Sequence, residues 1–133
     1  MMKKLLLLFL LIPILGLSQY SSEEVPIFPG CENRKNKRKC FVKKLQEHIE
    51  ANFRYPREAV VKKIEGRVYV QFVINTDGKI SDIRVRGPHK SLEAEALRII
   101  GKLYNENFTP GKQDGINVRV PFSIPITFRL PKR

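Results

Sequence analysis

The sequence has few of the residues from which catalytic and metal-binding sites are built. Its 133 residues include two histidines and two cysteines, and neither His48 nor His89 has a nucleophile and an orienting acid in a recognisable pattern around it. Zinc needs four ligands. Besides the two cysteines only these two histidines are available, and neither is at metal-binding spacing. The glycines are scattered at turns and form no phosphate-binding loop. We therefore expect no enzyme activity, no metal and no other cofactor.

Long apolar runs are also missing. The stretch Leu5–Leu17 is interrupted by a proline and is shorter than the roughly 20 residues that cross a bilayer. Two lysines precede it, and Gly16 and Ser18 are small residues suited to cleavage after Ser18, which is typical of a secretory signal peptide. Residues 1–18 are thus predicted to be a signal peptide and the protein to be exported. The alternative is an uncleaved membrane anchor.

Acidic residues are scarce, with 13 Asp and Glu against 25 Lys and Arg and a net charge of +12. The basic residues are densest in one stretch, which contains Arg34, Lys35, Lys37, Arg38, Lys39, Lys43 and Lys44. This stretch is either a solvated loop that continues into the polar face of a helix, or a contact for an anionic surface such as acidic lipid head groups or an acidic partner. Nucleic acid is not expected as a partner, because no aromatic residues are interleaved with these charges.

Cys31 and Cys40 are the only cysteines. In an exported domain an isolated, even pair most simply forms a disulfide. The bridge would close a short loop rich in lysine and arginine, and a loop of about ten residues contributes roughly 2–3 kcal/mol to stability in the chain-entropy model. We therefore expect a Cys31–Cys40 disulfide ahead of the predicted core.

Two segments repeat apolar residues at helical spacing. The first predicts a helix over residues 41–53, followed by a short helix from Arg57 to Lys63 that Pro56 initiates. The second predicts a helix over residues 92–105, with Ser91 as its N-cap and two glutamates in its first turn. The buried stripe of this last helix is expected to comprise Leu92, Ala96, Ile99, Ile100 and Leu103.

Alternating apolar residues predict a β-hairpin between these helices. Its first strand begins at Gly66, and the turn Asn75–Gly78 contains an Asp-Gly pair that tolerates positive φ angles. The return strand runs from Lys79 to Arg86. Ile80 breaks the alternation, which indicates a bulge near the turn.

The tail from Val118 to Leu130 has an apolar residue at every even position, which predicts one long strand with a single buried face. Pro121 and Pro125 both occupy odd positions. Because proline cannot donate to a sheet ladder, the side to which odd N–H groups point should be the outer edge of the sheet. Another chain can add a strand at such an edge. The residues predicted to line this partner-binding edge are Arg119, Ser123, Thr127 and Arg129.

The predicted elements follow the order helix, helix, strand, strand, helix, strand. The most economical arrangement is an α+β domain with a three-stranded antiparallel sheet and helices packed on one of its faces. We place this domain over residues 41–130. Residues 19–40 form an extended lead-in with the disulfide-bridged basic loop.

Several short motifs occur in a fixed order along the predicted domain. They are Tyr55-Pro56, Gly66–Phe72, Asp77–Ile80, Glu95-Ala96, Pro110–Gln113 and Pro125–Leu130. Together they resemble the TonB carboxy-terminal domain, in the form common in Bacteroidetes. Phe28–Cys31 and the second cysteine are similar to the lead-in found in a subset of these proteins.

The resemblance implies a periplasmic binding module of the system that energises outer-membrane transport. In that family the last strand receives the short amino-terminal box of a TonB-dependent transporter as an added parallel strand, and pulling on it opens the transporter's plug. The sequence has no proline-rich spacer, so the alternative is a free-standing periplasmic adaptor or regulator without a link to the motor. An uncleaved anchor would hold the domain at the inner membrane and favour contact with the motor complex. A homodimer is a further candidate assembly.

Overall fold

The structure is a computed structural model that describes residues 22–132. Its elements are β1 (Glu23–Glu24), α1 (Lys37–Asn52), α2 (Arg57–Val61), β2 (Gly66–Ile74), β3 (Ile80–Arg86), α3 (Lys90–Gly101), a 3-10 helix (Lys102–Asn105), β4 (Gly111–Gln113), β5 (Ile116–Val118) and β6 (Val120–Phe128). The predicted signal peptide lies outside the described residues. Within residues 22–132, no helix combines the length and the apolar character needed to cross a membrane.

The main sheet has three antiparallel strands in the order β3-β2-β6. Strand β6 pairs with β2 along its whole length, from Phe128 opposite Gly66 to Val120 opposite Ile74. Helix α3 packs against β2 and β3, and aromatic contacts place α1 over β6. The opposite face of the sheet is exposed, because alternate residues such as Tyr69 point away from the helices. The structure therefore confirms the α+β fold with helices on one face.

The predicted long strand over residues 118–130 is two strands. Strand β5 ends at Val118 and β6 begins at Val120, with Arg119 between them. The side chain of Arg119 is held by Asn75 and Asp82, at 3.0 and 2.6 Å. Both strands alternate apolar and polar residues, and this shared period conceals the break between them.

A second sheet, β1-β4-β5, was not predicted. Strands β4 and β5 form a hairpin around Asp114 and Gly115, which both have positive φ angles of 53° and 81°. Strand β1 pairs with the outer side of β4, and Ser22 exchanges hydrogen bonds with Asp114. These strands contain two or three residues each, which is too short for a period to be visible in the sequence.

Helix α1 begins four residues earlier than the predicted position 41. Asn36 caps it, since its side chain accepts the N–H of Lys39 at 2.9 Å. The first turn contains only basic residues before Cys40, so apolar spacing could not detect it. Helix α2 ends at Val61 rather than Lys63, because Lys63 adopts a positive φ of 55° that terminates the helix.

Helix α3 begins at Lys90, and its N-cap is His89 rather than the predicted Ser91. The Nδ1 atom of His89 accepts the N–H of Ser91 at 3.1 Å. The helix ends at Gly101 and a 3-10 helix covers the remaining predicted residues. All five residues of the predicted stripe are buried, so the helix face was predicted correctly although its ends were not.

The predicted bulge in the hairpin is present. The pairing between β2 and β3 shifts between Gln71 and Val73, where Arg84 and Ser81 are their respective partners. Asp82 lies in the shifted segment and has a positive φ of 54°. Ile80 is consequently buried, in agreement with its break in the alternation.

The core extends into the predicted lead-in. Phe28 is buried against Phe41 and Phe108, with ring centroids 5.3 and 5.1 Å apart and the rings nearly perpendicular. The expected disulfide joins Cys31, which is fully buried, to Cys40 on α1. The bridge thus attaches the lead-in to the first helix, and the lead-in contributes apolar surface to the core.

Candidate functional site

The outer edge of β6 is the candidate site for binding a partner. Among residues 22–132, strand β6 has a strand neighbour, β2, on one side only. Within an antiparallel strand, successive residues direct their N–H and C=O groups to opposite sides. Pro121 and Pro125 lack an N–H, so they suit the side away from β2. The free N–H groups of β6 on that side then belong to Ser123 and Thr127.

The four predicted edge residues have different positions in the structure. Ser123 and Thr127 lie within β6 and are exposed. Arg129 follows the last residue of β6 and is also exposed. Arg119 precedes β6, and its guanidinium donates to the carboxylate of Asp82 on β3. Strand β3 forms the opposite edge of the sheet. Arg119 therefore does not line the edge.

Helix α1 supports the edge strand from the core side. The rings of Phe41 and Phe122 stack with their centroids 4.4 Å apart, and the rings of Phe53 and Phe128 are 5.1 Å apart. Phe41 lies in the first half of α1 and Phe53 directly follows its end, and their partners on β6 come in the same order along the chain, so α1 runs alongside β6. The edge strand is thereby held in place on its helix side, while its outer backbone groups are left uncovered by strands of the described chain.

A groove opens beside the beginning of β6, where α1 approaches the second sheet. Its volume is about 480 Å³. The central apolar lining comes from Val42, Val120 and Phe122, and Val42 is 49% exposed. Arg38 and Lys112 supply positive charge, and Glu23 and Glu24 supply negative charge. These residues come from four separate elements, so the sequence pattern could not bring them together.

A second cleft lies at the other end of β6. Its volume is about 970 Å³, and its lining includes Gly66, Thr127 and Phe128. The chain after β6 is held there by Glu65, whose carboxylate accepts the N–H of Leu130 at 2.5 Å. A depression therefore flanks the edge strand at each end.

Tyr55 holds the connection between α2 and β2 beside this second cleft. Its hydroxyl donates to the carbonyl of Ile64 at 2.5 Å, and its ring packs edge-on against Phe128. Burial raises the pKa of the Tyr55 hydroxyl, and the negative charge of Glu65 adds to that effect. The Tyr55-Pro56 motif thus has a structural role next to the edge strand.

Glu95 is the only acidic residue buried in the described part of the chain. Its carboxylate accepts the backbone N–H of Arg54 at 2.7 Å and forms two bonds with the guanidinium of Arg98. Arg98 also donates to the carbonyl of Asn52, and its hydrogen bond to Glu95 raises the pKa of the guanidinium. This network joins the end of α1 to α3, so it is structural. Among residues 22–132, no three His, Cys, Asp or Glu side chains form a group that could hold a metal.

The five predicted basic-patch residues, Arg34, Lys35, Lys37, Arg38 and Lys39, lie together at the start of α1. Arg34, Lys35 and Lys39 line one shallow cavity of about 310 Å³. Lys37 and Arg38 line a neighbouring cavity together with Lys35. Arg38 is shared with the groove beside β6. The patch is thus a separate surface that shares one residue, Arg38, with the groove beside β6.

Residues 51–130 match the family model described as the Gram-negative bacterial TonB protein C-terminal. The chain belongs to the TonB C-terminal family. Two curated Helicobacter pylori proteins named Protein TonB are each 40% identical to it. The match to the protein of strain 26695 extends over 108 residues, which is 77% of this chain and 34% of that protein. The match to the protein of strain J99 extends over 65 residues, 49% of this chain and 21% of that protein.

Solved structures of the TonB C-terminal family show the same fold. Two solution NMR structures of the Helicobacter pylori TonB C-terminal domain match the chain. The first has a TM-score of 0.56 and 30% identity, and the match covers 79% of this chain and 89% of that one. The second has a TM-score of 0.50 and 31% identity, with 70% and 97% covered. The chain spans about a third or less of the curated relatives' length, and the Bacteroidetes subtype stays a prediction.

Proposed function

We propose that this domain binds an extended peptide of an outer-membrane TonB-dependent transporter by adding it as a strand to β6. The observation that carries the proposal is the outer edge of β6, where two prolines alternate with residues whose N–H groups point away from β2. Membership of the TonB C-terminal family supports the choice of partner. The proposed role is binding, without catalysis, in energised transport across the outer membrane.

The edge offers an uneven set of hydrogen-bonding groups to a peptide. Carbonyl groups point outward from Pro121, Ser123, Pro125 and Thr127, whereas only Ser123 and Thr127 supply an N–H. A bound strand would therefore donate more bonds to β6 than it accepts. Each backbone bond formed at the edge adds about 0.5–1.5 kcal/mol. Peptide side chains that reach the groove beside Val42 and Phe122 would supply selectivity.

The proposal is tested by titrating the purified protein with a synthetic transporter-box peptide. Binding is measured by calorimetry, and the affected backbone amides are identified by NMR. The amides of Ser123 and Thr127 should shift and become protected from exchange, while those of Arg84 and Arg86 on the far strand should change least. Shifts centred on β3 instead would contradict strand addition at β6. Failure of any box peptide to bind would favour the free-standing adaptor.

We propose further that the domain acts in the periplasm after export. The apolar stretch Leu5–Leu17 supports export, and the disulfide between Cys31 and Cys40 suits an oxidising compartment. Intact-mass measurement of the protein isolated from cells tests this. A chain that starts near Gln19 supports a cleaved signal peptide. An intact start at Met1 supports the inner-membrane anchor and contact with the motor complex.

A further inference from the structure

We propose that the basic surface at the start of α1 docks the domain on a membrane that contains anionic phospholipid. This inference is independent of peptide binding at β6. The basic surface comprises Arg34, Lys35, Lys37, Arg38, Lys39, Lys43 and Lys44. It places seven positive charges within eleven consecutive residues, and no acidic residue interrupts them.

Few of these charges are neutralised within residues 22–132. In the described part of the chain, only Lys44 has a carboxylate within 4 Å, that of Glu47 at 3.9 Å. Glu23 and Glu24 line a cavity with part of the basic surface, yet neither forms an ion pair in the described structure. The surface therefore retains a strong positive potential that an external anion can satisfy.

The position of these charges at the start of α1 causes electrostatic repulsion within the domain. The first turn of α1 contains no acidic residue and begins at Lys37. A helix N-terminus carries partial positive charge, so cations placed there are repelled by the backbone as well as by one another. The Cys31–Cys40 disulfide fixes the basic loop against the helix in spite of this repulsion. An anionic surface would relieve both sources of repulsion.

The form of the surface favours a membrane over a small ligand. All seven residues are exposed or half-buried, on the loop and at the start of α1, and the depressions between them are shallow. The apolar stretch Leu5–Leu17 ends only a few residues before the described chain begins at Ser22. Glu23 and Glu24 then line a cavity with Lys35 and Arg38. If that stretch occupies a bilayer, the basic surface lies close to the head groups, where each Lys or Arg strengthens attachment.

The test compares binding of the chain, as isolated from the cell envelope, to vesicles of phosphatidylcholine with and without phosphatidylglycerol. The ratio of the two affinities isolates the electrostatic contribution, because an apolar segment would act equally on both vesicles. The test variant combines Lys35→Gln, Lys39→Gln and Lys43→Gln. The matched control combines Arg67→Gln, Arg84→Gln and Arg86→Gln, which removes three exposed charges from the open sheet face.

We expect the natural chain to prefer vesicles with phosphatidylglycerol. The lysine variant should lose about tenfold or more of that preference, because each charge near an anionic surface contributes strongly. The arginine control should keep most of it, and added salt should weaken the preference of the natural chain. An equal loss in both variants would show a general effect of net charge and overturn the proposal. A natural chain without preference would also overturn it and would favour an acidic protein partner for the basic surface.

A fluorescence measurement tests the orientation separately. The chain contains no tryptophan, so Asn33→Trp in the basic loop and Leu97→Trp on α3 each create a single reporter at an exposed position. Vesicles with phosphatidylglycerol should shift the emission of the loop reporter to shorter wavelength and leave the α3 reporter unchanged. A shift at the α3 reporter alone would contradict docking through the basic surface. Both reporters are read without peptide, so the outcome is independent of binding at β6.

Discussion

The ring of Phe41 on α1 lies parallel to the ring of Phe122 on β6, with 4.4 Å between their centroids and 5° between their planes. This contact fixes the first helix over the beginning of the edge strand. Phe122 also stacks on Phe72 of β2, at 5.8 Å. The strand is therefore held by its neighbour β2 and by the helix, and no strand of the described chain covers its outer edge.

Truncation of the two β6 phenylalanines should destabilise the domain to different extents. Phe128 is 1% exposed, whereas Phe122 is only partly buried and borders the groove. We expect Phe128→Ala to cost about 3–5 kcal/mol. Phe122→Ala should cost less, because part of its ring is already in contact with water. Chemical denaturation measures both values, and an equal or larger loss for Phe122→Ala would contradict the described packing.

Gly78 should tolerate a methyl group far worse than Gly115. Both residues have positive φ angles, 83° and 81°. A Cβ on Gly78 would lie 2.1 Å from the carbonyl oxygen of Phe108, whereas a Cβ on Gly115 would have no neighbour within 4 Å among the described residues. The matched pair Gly78→Ala and Gly115→Ala thus separates steric conflict from backbone strain.

We expect Gly115→Ala to cost about 1–2 kcal/mol from the left-handed backbone alone. Gly78→Ala should lower the melting temperature by several degrees more, since about 1 kcal/mol corresponds to roughly 4–8 °C in a domain of this size. Equal melting temperatures would show that the turn does not pack against Phe108 as described.

The regular part of the fold could be predicted because its signals are local and periodic. The stripe from Leu92 to Leu103 and the alternation in β2 each extend over several repeats, so their buried faces were predicted correctly. The parity of Pro121 and Pro125 likewise predicts the edge position that β6 has in the sheet. Each of these inferences required only a single stretch of chain.

The remaining features depend on contacts between distant segments. The second sheet joins residues near Glu23 to residues near Gln113, and its strands are too short to show a period. Arg119 has an odd number, as Ser123 does, and the alternation therefore predicts that it lines the edge. In the structure, a hydrogen bond to Asp82 directs its side chain towards β3. The groove at Val42 is lined by residues of five elements. The spacing of residues along the sequence does not predict such contacts.

Removal of the buried carboxylate of Glu95 should destabilise the domain more than removal of the exposed carboxylate of Glu47. Glu95→Ala would remove the carboxylate that accepts the N–H of Arg54, and a hydrogen bond to a charged group contributes about 1.5–3 kcal/mol. Glu47→Ala is the control, because Glu47 is exposed and its contact with Lys44 is long, at 3.9 Å. Thermal unfolding at neutral pH should separate the two variants, and equal melting temperatures would argue against the network.

Tyr55 should make the domain sensitive to alkaline pH. Its folded-state pKa is raised, so the native state retains the phenolic proton more strongly than the unfolded chain. The associated stability is complete below the usual tyrosine pKa of about 10 and is lost as the pH rises through the folded-state value.

Tyr55→Phe tests this dependence. The variant loses the hydrogen bond to Ile64, which should cost about 0.5–1.5 kcal/mol at neutral pH. Its stability should then fall less steeply than that of the natural chain above pH 10. Tyr69→Phe is the control, because Tyr69 is 58% exposed on the open sheet face. Identical alkaline slopes for the natural chain and the Tyr55→Phe variant would refute this role.

Strand addition at β6 is tested most directly at Thr127. Thr127→Pro removes one of the two free N–H groups of the strand, at a position with the same parity as two existing prolines. Thr127→Val is the matched control, because it alters the side chain and keeps the N–H. Since the N–H points away from β2, both variants should remain folded, which a melting curve verifies.

The decisive measurement is the affinity of the natural chain and of these two variants for a synthetic transporter-box peptide. Loss of one backbone hydrogen bond should weaken binding to Thr127→Pro by about 3- to 10-fold. Thr127→Val should bind nearly as tightly as the natural chain. If the natural chain binds the peptide and the folded Thr127→Pro variant binds it as tightly as Thr127→Val does, the peptide does not pair with this edge and the account is wrong.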